Sequence, residues 1–314
     1  MASIYKPNSI QVHPGIFHAD DVTCCVQALI LNERVQIIRE DTDSDSDLDS
    51  GKIVADVGYG MFDHHQKDTK IREDGFKHCA SSLLWEFWGK DVIKSLMKDY
   101  LGDDIINEAW SIINDKFMMT LSIVDNGLSR DEQIKLDAVA LGISTTVGIY
   151  NPTYLESDNN SEVYNEYFFE CVENIKKVFE RYIINIVDDV IAKKIVLEVM
   201  QNRDSKHVLV LNSYASWAEA VCTDKDIYCV VYPSMRGGWN VQLAPESVGS
   251  YATLIDVPDW WKGYKYVGKN DRPISGITFC HATGFLSVFD SKDHAVRAAE
   301  YLAELADLDK CNNE

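Results

Sequence analysis

From Thr153 to Tyr232 the chain contains neither glycine nor proline. Those residues are the usual breakers of helices, so a stretch without them is free to run on as helix. Within it Phe168, Cys171, Val172, Ile175, Val178, Phe179, Tyr182, Ile186 and Val190 recur every three to four residues. That is the period of one helix face. A long helix or a closely joined pair is predicted, beyond the length of ordinary globular helices. Such a segment joins two bodies or dimerises as a coiled coil. Asp188, Asp189, Lys193 and Lys194 fit no strict heptad, which favours a connector; a homodimer stays open as an assembly. The expected organisation is therefore a first domain over residues 1–150, a helical connector over 151–203 and a second domain over 204–314.

Before the connector, strand-like and helix-like segments alternate. Ile10–His13, Val35–Arg39 and Lys52–Val57 are short apolar or β-branched runs that read as strands. Asp20–Asn32, Cys79–Trp88 and Asp104–Val124 carry apolar residues at helical spacing. This β-α-β order predicts an α/β domain built on a largely parallel sheet. After Arg203, strands are expected at Val208–Leu211, Tyr228–Tyr232, Val241–Leu243 and Ile277–Cys280, with a turn at Gly237–Gly238 and a last helix capped by Ser291. The second domain reads as a smaller α/β unit.

The net charge is −20, from 30 Lys+Arg against 50 Asp+Glu. That argues against a broad electrostatic grip on nucleic acid or anionic membrane. It does not exclude phosphate chemistry, because metal ions held by carboxylates supply positive charge locally. The eight cysteines form no C-x-x-C pair and read as buried thiols of a reducing compartment. No apolar run reaches the roughly 18 residues of a membrane span. Residues 1–11 resemble neither a signal nor a transit peptide, so a soluble, intracellular protein, cytoplasmic or nuclear, is expected. Asp41–Asp49 alternates acidic and small residues. Counted from Asp41, the calcium-loop Gly and Glu positions hold Ser46 and Lys52, so this run reads as a solvated loop.

Histidines and aspartates cluster early. His13 and His18 flank a Pro14–Gly15 turn between a predicted strand and helix, followed by Asp20 and Asp21. Asp56 ends an apolar run, Asp63, His64 and His65 follow a short loop, and Asp125 closes a helix. In open α/β folds ligands gather at the carboxyl ends of the strands. One sheet edge would then collect His13, His18, Asp20, Asp56 and His64. Imidazole with carboxylate suits Mn²⁺, Fe²⁺ or Zn²⁺, and a carboxylate between two ions makes the clamp used for phosphoryl hydrolysis. The bland alternative is helix caps, turns and surface histidines. His78, His207 and His294 lack such sequence neighbours and read as structural.

Taken in order, these motifs resemble the DHH phosphoesterase superfamily, and within it the MYG (melanocyte proliferating gene protein) exonuclease family. His13 to Asp21 resembles that family's H-x4-H-x-D-[DE] opening. Val54 to Gly58 and Phe62 to Gln66 resemble its V-D-V-G and Y-D-H-H-Q segments. Ser81-Ser82, Trp88-Gly89, Val124 to Gly127, Val230 to Pro233, Gly238 to Gln242, Trp260 to Gly263, Ser275 to Ile277 and Phe279 to Phe285 follow in the family's order.

The resemblance implies a DHH-type parallel-sheet catalytic domain, a helical connector and a smaller substrate-binding domain. It implies two divalent ions, Mn²⁺ favoured, one held by His13, His18 and Asp56. The other would be held by Asp20, Asp56, His64 and Asp125, with Asp56 bridging. His65 would face the substrate phosphate, Asp63 would orient a histidine, and His281 and Gly284 would contact substrate from the second domain. The implied activity is 3′–5′ hydrolysis of single-stranded RNA or short oligonucleotides. A small-substrate phosphoesterase (dinucleotide, nucleotide bisphosphate or pyrophosphate) and a degenerate nucleotide-binding protein are the alternatives. The basic residues that the family carries after Ser216-Trp217 and Ser250-Tyr251 are replaced here by Ala218 and by the run Ala252 to Ile255.

Overall fold

The computed structural model describes residues 4–97, 101–127, 135–157, 160–268 and 273–313. The chain divides into two compact units, Met1–Asp188 and Asp189–Glu314.

The first unit contains β1 (Ser9–Val12), α1 (Ala19–Leu31), β2 (Gln36–Arg39) and β3 (Lys52–Val54). The three strands form a parallel sheet in the order β2-β1-β3. Helices follow: α2 (Ala80–Leu96), α3 (Asp103–Ile113), a π-helical turn (Asn114–Met118), α4 (Met119–Asp125), α5 (Ala138–Tyr150) and α6 (Tyr154–Ser157). The segment read as one helix over Asp104–Val124 is thus interrupted by a wider turn. The core is built from the runs that marked the strands, with Ile10, Val12, Ile53 and Val54 fully buried beside Val22 and Val26 of α1. Helices α1 and α2 pack together. Buried Gln27 between them donates to the Ser81 carbonyl at 3.0 Å and accepts the Trp88 indole N–H at 3.0 Å. Its polar atoms are therefore satisfied inside an apolar interface.

Helix α7 (Ser161–Gln201) is a single element of 41 residues that begins in the first unit and ends in the second. This is the long helix predicted from the glycine- and proline-free run. Its residues Phe168, Cys171, Ile175, Phe179, Ile183 and Val187 are buried on one face.

The second unit adds β4 (Val208–Val210), α8 (Ala218–Val221), β5 (Cys229–Pro233), β6 (Trp239–Leu243), β7 (Ile277–Cys280), β8 (Leu286–Phe289) and α9 (Lys292–Asn313). Its sheet runs β4-β5-β6-β8-β7. Only β4 and β5 are parallel; the other pairs are antiparallel. Strand β8 was not anticipated. Helix α9 packs on this sheet through Ala295, Ala299 and Leu302, and Ser291 Oγ accepts the His294 N–H at its start. At the β5-β6 turn Gly238 has φ +76°, and a Cβ there would stand 2.2 Å from the Phe289 carbonyl oxygen. Among the described residues all eight cysteines are free, and no helix is long and apolar enough to cross a membrane.

Candidate metal centre

Two strand ends set the site. His13 follows β1, and Asp56 lies two residues beyond β3. The His13–His18 loop is pinned from both sides. The Arg39 guanidinium donates to the Gly15 carbonyl at 2.8 Å, and the Asn151 amide exchanges hydrogen bonds with the Phe17 backbone at 3.0 and 2.7 Å. His13 Nδ1 meets the Pro14 carbonyl at 3.0 Å. That contact makes Nδ1 the donor and leaves Nε2 to accept a metal.

Asp56 adopts φ +59°, a left-handed conformation that Asp tolerates better than most residues. The kink ends β3 and starts a tight loop that returns at Phe62, whose carbonyl accepts the Asp56 N–H at 3.1 Å. In that loop Gly58 has φ +86°, and a Cβ there would lie 2.8 Å from the Ser44 carbonyl. The acidic run Asp41–Asp49 thus does more than meet solvent. Asp45 Oδ1 accepts the Met61 N–H at 3.0 Å. Ser46 Oγ bonds both the N–H and the carbonyl of Val54, at 2.9 and 3.1 Å. The run covers the open edge of β3 and props the loop that carries Asp63 to His65.

The side chains converge around a cavity of about 860 Å³ lined by His13, His18, Asp20, Asp56, His64, His65 and Asp125. One oxygen of Asp56, Oδ2, is 3.4 Å from His13 Nε2; the other, Oδ1, is 3.2 Å from His64 Nε2. His64 Nε2 also lies 3.0 Å from Asp125 Oδ2 and 3.7 Å from Asp20 Oδ2. His65 Nδ1 is 2.7 Å from Asp63 Oδ1, and Asp63 is fixed by the Tyr59 N–H at 2.7 Å.

Asp21 is the residue that spacing missed. It is fully buried, with Oδ2 3.5 Å from His13 Nε2, and its Oδ1 accepts the His18 N–H at 2.8 Å. The donor atoms of His13, His18 and Asp21 lie within 4.8 Å of one another. So do those of Asp56, His64 and His65, and those of Asp20, His64 and Asp125. Adjacent to Asp20 in sequence, Asp21 carried no spacing signal of its own.

The electrostatics describe a site short of positive charge. Burial pushes the Asp20 carboxyl up to about 7, helped by the charges of Asp125 and Asp56. Burial also raises Asp21 to about 7, with His13 opposing. Burial works against Asp56 too, but the imidazoles of His13 and His64 facing its two oxygens outweigh it and hold that carboxyl at about 2. Burial opposes charge on both imidazoles, yet Asp56 and Asp21 lift His13 to about 9, and Asp125 and Asp56 lift His64 to about 11. Protons stand where cations would. Buried Asp21 Oδ2, Asp56 Oδ1 and His64 Nε2 face these charged neighbours but make no aligned hydrogen bond among the described residues. Unpaired buried donors and acceptors are costly, and these three suit divalent metal ions.

Three histidines read as structural do have carboxylate partners in space: His78 with Glu86 at 3.3 Å, His207 with Asp307 at 3.2 Å and His294 with Asp290 at 2.6 Å. They lie outside the convergent set. His281 and Gly284 belong to the second unit. His281 Nδ1 meets Thr283 Oγ1 at 2.8 Å. Gly284 has φ +83°, and a Cβ would press within 2.5 Å of Val257, which is a packing reason for glycine there.

The MYG1 exonuclease family model, described as an uncharacterised protein family (UPF0160), matches residues 9–302. Among curated proteins the chain is similar to the MYG1 exonuclease of Mus musculus, 23% identical over 95% of this chain and 85% of that one. It is similar to a MYG1 protein of Caenorhabditis elegans, 21% identical over 95% and 96%. It is also similar to one from Chlamydia pneumoniae, 25% identical over 93% and 95%. No solved structure matches.

Proposed function

The chain belongs to the MYG1 exonuclease family, and on that premise we propose that its first unit is a two-metal phosphodiesterase of DHH type. Its substrate in this reading is single-stranded RNA or a short oligonucleotide, cut from the 3′ end. The observation that carries the reading is Asp56, whose two oxygens face two different histidine-carboxylate groups, 3.4 Å from His13 and 3.2 Å from His64. His13, His18, Asp21 and Asp56 would hold one ion; Asp20, Asp56, His64 and Asp125 would hold the other, with Mn²⁺ favoured. Divalent ions in such a set activate water for in-line attack and offset charge on the phosphoryl oxygens.

The chain's own groups do the rest. Asp63 holds His65 through Nδ1, so the half-exposed ring presents Nε2 to the cavity as a donor for a phosphoryl oxygen. The Asp63 hydrogen bond also raises the His65 pKa. Asp20 is locked by two backbone N–H groups of α2, and Asp21 by the His18 N–H. Their geometry is set before any ion arrives.

A second reading, a phosphoesterase for dinucleotides or other small substrates, draws on one observation. Lys77 is the single Lys or Arg among the described residues lining the cavity, a scant grip for a long polyanion.

The test is a panel of single-stranded RNA, single-stranded DNA, a dinucleotide and pyrophosphate, with and without Mn²⁺, for the wild type and Asp56→Asn. Metal-dependent release of mononucleotides that Asp56→Asn abolishes is expected. Equal activity in the variant sinks the mechanism. Faster turnover of the dinucleotide than of RNA moves the substrate to the second reading.

A further inference from the structure

Helix α4 carries Asp125 to His64 and is only seven residues long. It starts at the π-helical turn Asn114–Met118, so the direction in which Asp125 points depends on how that turn is held. Such turns are rare and recur at functional sites. One side of the turn presents Phe117, which is fully buried. Its ring lies 4.9 Å from that of Phe179 and 5.1 Å from that of Tyr182, both on α7. Arg72 grips the turn from elsewhere.

The Arg72 side chain is 3% exposed and uses all three of its nitrogens. Nη2 donates to the Asn114 carbonyl at 2.9 Å, Nη1 to Asn114 Oδ1 at 3.2 Å and Nε to Asp74 Oδ2 at 2.9 Å. The same Asn114 carbonyl accepts the N–H of Met119, five residues on, which is the bond that makes the turn wide. A planar guanidinium fork serves these acceptors together; the point charge of a lysine does not. The loop that carries Arg72 is closed on itself, with the Arg72 N–H on the Phe76 carbonyl at 2.8 Å and the His78 N–H on the Lys70 carbonyl at 3.1 Å. It holds the far end of α4 as well, because the Asn126 amide donates to the His78 carbonyl at 3.2 Å. The segment that follows His64 and His65 thus brackets the helix that carries Asp125. Arg72 itself does not line the cavity of the metal centre, so its effect on the site passes through Asp125.

We infer that Arg72 is a positioning residue for one of the two proposed ions: its grip on the π-helical turn at Asn114 fixes Asp125 3.0 Å from His64. The inference rests on the two-metal reading for what Asp125 holds, whereas the grip on α4 belongs to the metal-free chain. His13, His18 and Asp21 sit at β1 and α1, away from this bracket. Loss of Arg72 therefore loosens one ion and spares the other.

The experiment titrates Mn²⁺ calorimetrically into the full-length metal-free chain as wild type, Arg72→Met, Arg72→Lys and Asn114→Ala. Electron paramagnetic resonance of the loaded proteins distinguishes a coupled pair of ions from an isolated one. Amide exchange over residues 119–125 is followed without metal. Arg72→Met should weaken one ion by about ten-fold or more, leave the other near its wild-type affinity, and replace the coupled spectrum by that of isolated Mn²⁺. Exchange over 119–125 should quicken. Arg72→Lys and Asn114→Ala, which remove only part of the grip, should fall between, and they carry the test if Arg72→Met does not fold. Both ions bound as tightly as in the wild type, or both weakened alike, overturns the inference. A wild type that holds fewer than two ions overturns the two-metal reading; the exchange data then decide, with quickened exchange upholding the grip on α4 and unchanged exchange overturning it.

Discussion

Asp20 and Ala80 are 60 residues apart in sequence and joined by a 2.7 Å hydrogen bond from the Ala80 N–H to the Asp20 carboxylate, with the Ser81 N–H completing a pair at 2.7 Å. Asp20 therefore caps α2 from another helix. The first N–H groups of any helix lack partners within it, and here a side chain that also faces His64 supplies them. The same carboxylate serves the fold and the candidate metal centre. Asp20→Ala should remove both functions. With two buried N–H groups orphaned, a loss of about 2–4 kcal/mol of stability is expected. Urea unfolding of the metal-free protein measures it. An unchanged midpoint would show that water or a neighbouring group caps α2 instead.

Asp56 separates charge from backbone. Its φ of +59° suits Asn nearly as well as Asp, and Ala poorly. Asp56→Asn should therefore keep the local backbone conformation and lose metal-dependent hydrolysis by at least about 100-fold, the upper end of the loss seen when only the partners of metal ligands are removed. Asp56→Ala should lose activity equally and cost about 1 kcal/mol or more of added strain. Circular dichroism and thermal melts separate the two effects. Equal melting temperatures for the variants would contradict the strain argument.

The protons held in the metal-free centre must leave when ions enter. His13 stands at about 9 and His64 at about 11 without metal, so both are charged at neutral pH. Raised folded-state histidine values stabilise the metal-free fold fully below about 6.5, and that contribution fades as pH rises through the folded values. Metal binding competes with those protons and strengthens as pH rises, by up to about 100-fold per pH unit if two protons depart together. Calorimetric Mn²⁺ titrations in buffers of different ionisation enthalpy, between pH 6.5 and 8, count the protons. A pH-independent affinity would mean that these imidazoles are not ligands.

How much of this was legible in the sequence depends on range. The strand ends carrying His13 and Asp56 were readable because apolar runs and the polar residues that close them are local signals. So was α7, from its missing breakers. Asp21 was not, because neighbours on a helix point about 100° apart and only one of the pair was expected to face the site. In fact Asp20 reaches α2 while Asp21 turns back to His18 and His13. The π-helical turn at Asn114–Met118 left no trace either. Wider winding changes the direction of everything downstream, Asp125 included, without changing the apolar pattern much. Strand β8, four residues long, gains its identity from pairing with β6 and β7 rather than from its own composition.

The acidic run offers a test of that long-range logic. Asp45 accepts the Met61 N–H and fills space beside Gly60, where a Cβ would stand 2.1 Å from its oxygen. Asp45→Ala should free the 57–62 loop, with stability falling by about 1 kcal/mol and hydrolysis falling through misplacement of His64 and His65. Asp41→Ala and Asp43→Ala, whose side chains are exposed, are the controls. If all three variants match the wild type in hydrolysis and in protection of residues 57–62 from hydrogen exchange, the run is only a solvated loop.

Salt dependence reads the number of phosphates held. Each phosphate neutralised on a single strand contributes about −0.7 to the slope of log affinity against log salt. With Lys77 the one Lys or Arg among the described residues lining the cavity of the candidate metal centre, a slope between about −0.7 and −1.4 is expected for an RNA oligonucleotide bound to Asp56→Asn. Lys77→Ala should flatten it by about 0.7 and weaken binding alike for every sequence. A net charge of −20 adds a general repulsion that salt screens, which flattens the slope further. A slope near −4 would require about six phosphate contacts, and with them a basic surface elsewhere on the chain.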